Sequence, residues 1–213
     1  MCSNLQAQVP VHEEPVHKPV YADEKIRILN VLLPAGDTTM YHLHHTPSLF
    51  IFFTTTHTGS QLQHHEPQTS TSVAGHILFE NLAAPHTRIH KVWNADTHTF
   101  HVMDIELLYP DSSFNHPPLS HPMLTLHTDT AWVRAYRLQV PKRKQFVIKA
   151  QQSSLVLVAL GDAAMHIKSG KLSSRQMLKE GSFFHIAAGQ SFRVKNVAGK
   201  IASFVLVELP IPG

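Results

Sequence analysis

The chain has 213 residues, 43% hydrophobic and only 15% charged, enough apolar mass for one large β domain or two compact domains of about 100 residues each. A net charge of +3 on scattered Lys and Arg argues against a nucleic-acid surface, and a single cysteine, Cys2, excludes internal disulfides and a thiolate metal cluster. Histidine, with 18 copies, takes over polar positions that charged residues usually fill.

Residues 1–23 read as an N-terminal arm without an apolar leader, and its His12 and His17 read as solvent-exposed. No window approaches the roughly 18 apolar residues of a membrane span, so the expectation is a cytoplasmic protein with no membrane and no nucleic-acid partner. The first strand pattern is "KIRILNVLL", followed by "YHLHHTPSLFIFF", where three histidines in four positions precede an apolar run. On a strand, positions i and i+2 share a face, so His42 and His44 point one way and Leu43 and His45 the other. Phe50, Phe52 and Phe79 are expected to line a barrel, and "QLQHHEPQ" (61–68) reads as a polar hairpin. "PHTRIHKVWN" (85–94) offers a third imidazole, His90, with His86 as the alternative, and "FHVMDIELL" closes the first half.

A Pro-rich segment over 110–126 is the expected linker, with His116 and His121 in solvent. Beyond it come "AWVRAYRLQV", the basic "PKRKQFVIK" (141–149) read as a hairpin or strand end, "SLVLVAL" and "SFVLVEL". "SSRQMLKE" (173–180) is the best helical candidate, although it spans barely two turns.

The strands repeat. "IRILNVLLP" (26–34) aligns with "VRAYRLQVP" (133–141), and "PSLFIFF" with "SSLVLVA". Asn94 precedes Glu106 by twelve residues, as Asn196 precedes Glu208. A period of roughly 102 to 107 residues is a duplicated domain. The halves are 24–109 and 127–213. Glu106 and Asn94 recur in the half without ligand histidines, which marks them as structural rather than catalytic.

At this point the sequence resembles the cupin superfamily. That family's first motif is Gly, five residues, His-x-His, three or four residues, Glu; Gly36, His42 and His44 match it. The second motif, Pro-x-Gly, two residues, His, three residues, Asn, is matched by Pro85, His90 and Asn94, with Thr87 in place of glycine. In the second half Gly181, Gly189 and Asn196 fall in register, while Phe192 takes the ligand histidine's position and Ala187 the proline's. The glutamate of the first motif would fall at Ser48 or Leu49 and is missing.

The resemblance implies an all-β bicupin of two tandem jelly-roll barrels. The first would hold one divalent metal ion (Fe, Zn, Ni or Mn) on His42, His44 and His90; the second would be degenerate. Glu80 and Asp104 are the carboxylates nearest the site strands. Three neutral imidazoles leave the ion's charge uncancelled, which favours a small anionic organic ligand. Three-His sites of the family resemble those of iron dioxygenases acting on thiols and β-diketones. The first reading is therefore a mononuclear non-haem metal dioxygenase, and the alternative is a non-catalytic binding or sensing cupin. A homodimer through edge strands is compatible with the family, with "SFVLVELPIP" as one candidate edge.

Overall fold

The computed structural model describes residues 9–109, 112–170 and 172–212. Cys2, the start of the arm, and Pro110 and Asp111 of the expected linker lie outside the described residues. The chain divides after Leu108 into two compact units.

In the first unit the strands are β1 (Val9–Pro10), β2 (His17–Ala22), β3 (Ile26–Leu33), β4 (His42–His44), β5 (Ser48–Phe52), β6 (Thr56–Leu62), β7 (Gln68–Ser72), β8 (Ile77–Glu80), β9 (Arg88–Asn94) and β10 (Phe100–Leu107). They form two five-stranded sheets, ordered β1-β4-β9-β6-β7 and β2-β3-β10-β5-β8. On β3, Leu29, Val31 and Leu33 share one face and Ile26 and Ile28 the other; all five are buried, and Leu32 is exposed. Part of the expected arm is built into this fold. β1 runs parallel to β4, and β2 pairs with β3, setting His17 opposite Val31.

The second unit pairs Arg134–Val140 with Ala202–Leu209, and the latter with Ser154–Ala159, in the centre of a five-stranded sheet. "SFVLVEL" is thus a buried central strand and offers no free edge. The best helical candidate, 173–180, lies instead largely in a strand, Leu172–Leu178, paired with Ala163–Ser169, in keeping with the all-β reading. Two turns' worth of helical pattern carried too little local free energy to resist a ladder. The strand Leu124–Asp129 begins inside the expected linker, and Leu119 and Met123 pack against the second core. His116 is fixed to Ser153 Oγ at 3.0 Å, and the His121 ring packs on Phe146 at 4.9 Å, so neither is a free surface side chain. Among the described residues no helix is long and apolar enough to cross a membrane.

The duplication is visible atom by atom. Asn94 Nδ2 donates to the carbonyls of Leu33 (3.0 Å) and His98 (2.7 Å), and Asn196 Nδ2 to those of Val140 (2.8 Å) and Lys200 (2.7 Å). Glu106 faces Arg27 across a strand pair, and Glu208 faces Arg134 in the same way. Arg27 Nη1 donates to the fully buried Glu106 at 2.8 Å, and the Thr46 hydroxyl donates at 3.0 Å. Removing the cation strands a buried carboxylate, so Arg27→Ala should destabilise the protein toward the lower end of about 3–5 kcal/mol. Chemical denaturation would show it, and a loss under about 1 kcal/mol would mean that Thr46 alone suffices.

Candidate metal centre

The site is assembled from both sheets of the first unit. A short 3-10 turn at Val11–Glu13 delivers Glu14, whose side chain is buried. Its Oε2 accepts from the backbone N–H groups of Val16 (2.8 Å) and His17 (3.3 Å) and lies 2.6 Å from His17 Nδ1. Its Oε1 accepts from the Met40 N–H at 3.1 Å. Burial pushes the Glu14 pKa up, but His17 and the backbone N–H groups outweigh it and hold the carboxyl below its usual range. With Nδ1 committed to this carboxylate, His17 has Nε2 to offer.

His42 and His44 come from the same face of β4, both buried, while His45 is exposed. His42 Nδ1 donates to the Met40 carbonyl at 2.9 Å, which leaves Nε2 buried without a partner. His44 Nδ1 is also buried without a partner and lies 3.7 Å from Asp104 Oδ2. One ring nitrogen from each of His17, His42 and His44 falls within 4.8 Å of the other two. Three imidazole nitrogens converging this closely, with His42 Nε2 buried and without a partner, fit a metal ion.

His90 stands beside them. The β4–β9 register sets it opposite His42, and its ring centroid is 4.7 Å from that of His42 and 5.1 Å from that of His44. His86 precedes β9 and is exposed, apart from the cluster. Burial lowers the pKa of His42 to about 4, with His17 adding to the shift, and that of His90 to about 3, with His42 and Arg88 adding to it. His44 is lowered well below its ordinary value by the same burial and by its histidine neighbours. These three rings are therefore neutral at physiological pH, the state that binds metal.

A cavity of about 270 Å³ adjoins the histidines, with His17, His44 and His90 in its wall. Its apolar side is made by Val31, Leu33, Phe50, Phe52, Phe100 and Val102, and hydroxyls of Thr58, Ser60 and Ser70 also face it. Phe79, expected to line the barrel, does not; the alternation of β8 turns Leu78 and Glu80 inward instead. Arg88 meets Glu80 in a bidentate pair, with both N···O distances 2.7 Å, so Glu80 already has its cation. Asp104 is different. It is fully buried and neither oxygen accepts a well-formed hydrogen bond. Burial, reinforced by Glu106, raises its pKa well above the ordinary carboxylate value, with Ser48 opposing the shift.

The equivalent interior of the second unit is filled. Phe192, in the ligand histidine's position, is buried in a core with Leu138, Leu157, Met165 and Phe204.

His17 is the residue that sequence reasoning missed, and its exposure was misjudged: it is 7% exposed. It belongs to no motif, and "HEEPVHKPV" carries no strand period clear enough to place it on a sheet. The one available signal was Glu14 three residues before a histidine, a spacing common by chance.

This architecture is the cupin fold in two copies, that of the bicupins. The chain is similar to AerE from Microcystis aeruginosa (10% identity, TM-score 0.62), over 92% of this chain and 98% of that one. It is similar to a salicylate 1,2-dioxygenase from Pseudaminobacter salicylatoxidans (8% identity, TM-score 0.62, 88% and 72% covered). A vicilin from Solanum melongena, in which different anionic ligands occupy structurally similar pockets, matches at 10% identity and TM-score 0.60, over 87% and 75% of the two chains. No protein-family model and no curated protein matches the sequence.

Proposed function

We propose that the first domain binds one divalent transition-metal ion through His42, His44 and His90, with His17 taking the place that the first motif gives to glutamate. We further propose that it acts as a mononuclear non-haem metal dioxygenase on a small anionic organic substrate. The observation that carries this reading is one ring nitrogen from each of His17, His42 and His44 within 4.8 Å of the other two, with His42 Nε2 buried and unpartnered, beside an apolar cavity. When bound, the ion supplies Lewis acidity and, if it is iron, a redox couple able to engage O₂.

The protein's own groups do the rest. Neutral ligands leave the ion's charge uncancelled, so the cavity favours an anionic oxygen or sulfur at the open positions. Phe50, Phe52 and Phe100 exclude water and pack an apolar body, and Thr58, Ser60 and Ser70 can hydrogen-bond a polar edge.

The test is oxygen uptake by Fe(II)-loaded protein with β-diketones, phenolates and thiols. Turnover that disappears in His42→Ala supports the dioxygenase. Tight binding of such anions without oxygen uptake supports the second reading, a non-catalytic binding protein, which the likeness to an anion-holding vicilin favours. The fold alone does not choose, since one barrel hosts many functions.

A further inference from the structure

The missing glutamate leaves a charge deficit. Glu106 and Glu80, directly opposite Ser48, are already paired with Arg27 and Arg88. The cavity-wall carboxyl without an arginine among the described residues comes from a different strand than Ser48. Asp104 lies on β10, directly opposite Phe50 of β5, two positions along that strand from Ser48, where the motif's glutamate could have stood. It is 1% exposed, in the cavity wall, with both oxygens lacking a well-formed hydrogen bond. His44 Nδ1, itself buried and unpartnered, lies 3.7 Å from Asp104 Oδ2. Two poorly satisfied buried groups facing each other are costly in the metal-free protein, because each has lost water and, apart from the approach of Ser48 to Asp104, gained little in return. Such a pair persists in a fold where something else completes it.

The other histidines show what completion looks like. His17 Nδ1 is held by Glu14 at 2.6 Å and His42 Nδ1 by the Met40 carbonyl at 2.9 Å, so each presents Nε2. His44 alone has its orienting acceptor in place but not closed. We propose that Asp104 is a positioning residue of the metal centre: it accepts the Nδ1–H of His44, presents Nε2 to the ion, and supplies from behind the imidazole a negative charge that the motif lacks at Ser48. Closing 3.7 Å to a hydrogen bond takes less than about 1 Å of movement, within what a side chain provides when its partner's tautomer is fixed. Glu14 does the same for His17, so two imidazoles of the centre are backed by carboxylates.

This rests on the proposed metal site, and the experiment separates the two claims. Co(II) is titrated into parent, Asp104→Asn, Asp104→Leu and Glu14→Gln proteins, with affinity read by competition against a chromophoric chelator and geometry by the visible Co(II) spectrum. Asp104→Leu should bind Co(II) roughly 10–100-fold more weakly than parent, with a shifted spectrum. Asp104→Asn, which keeps an oxygen to accept the N–H but loses the charge, should fall between them. At pH 7, metal-free melting of either Asp104 variant should not drop below parent, since the substitution removes a buried, poorly satisfied carboxyl.

Parent-like affinity and spectrum in Asp104→Leu would overturn the positioning role while leaving the metal site intact; if that variant fails to fold, the same result in Asp104→Asn does so. Failure of the parent to bind Co(II) would remove the metal site and this role with it.

Discussion

His17→Ala should weaken metal binding as severely as His42→Ala, by more than about 100-fold, although His17 lies outside both motifs that announce the site. Untagged protein purified without chelating resin should carry about one transition-metal ion per chain by elemental analysis, and both variants should arrive nearly empty. The expectation follows from the converging nitrogens of His17, His42 and His44, each of which would lose a third of that triad on truncation. The His90→Ala variant decides the size of the ligand set. Loss as deep as for His42 makes His90 a full member, whereas a modest loss makes it a neighbour that packs against His42. His86→Ala is the control and should leave affinity unchanged, because the residue is exposed. Metal should also raise the melting temperature of the parent and not of His17→Ala, since an ion a thousandfold above its dissociation constant adds about 4 kcal/mol to a folded state that alone can bind it. Full metal content in His17→Ala would return the centre to the three ligands that the motif spacing names. No metal in the parent, even after reconstitution, would leave an apo binding barrel.

What was legible in the sequence was the part encoded by period and repetition. Two-residue alternation placed His42 and His44 on one face, and the twelve-residue step from Asn94 to Glu106, repeated at Asn196 and Glu208, exposed the duplication. The structure explains why those residues recur: each asparagine ties the same two carbonyl positions, and each glutamate faces an arginine across a strand pair. The illegible part was long-range. Nothing local says that His17 crosses to a site built on β4 and β9; that depends on β2 pairing with β3 and on Glu14 reaching back to Met40. The Asp104–His44 approach likewise joins residues sixty positions apart in sequence. The weak helical candidate at 173–180 gives way for a related reason, since its fate was decided by the partner strand Ala163–Ser169 rather than by its own propensity.

Acid should destabilise the metal-free protein well before its carboxylates titrate. His42 has a folded pKa near 4, lowered by burial, against an ordinary value of 6.5. Between those limits the unfolded chain binds a proton that the folded chain refuses, so stability falls as pH falls, by up to about 3 kcal/mol for this ring. His90, with a folded pKa near 3, acts in the same direction. His44 and Asp104 behave differently as a pair. Burial lowers the His44 pKa and raises that of Asp104, so on acidification the folded chain resists protonating the histidine and protonates the aspartate earlier than the unfolded chain does. The two shifts therefore act on the pH slope of stability with opposite signs. Asp104→Asn removes the opposing shift, so this variant should lose stability more steeply on acidification than the parent. Bound metal should shield the parent down to the pH at which protons displace it, after which the metal-loaded and metal-free melting curves should merge. Thermal denaturation at half-unit pH steps measures all three slopes. A metal-free melting temperature that stays flat from pH 7 to pH 4.5 would mean that these imidazoles are hydrated rather than buried, and the case for a preformed site of neutral ligands would go with it.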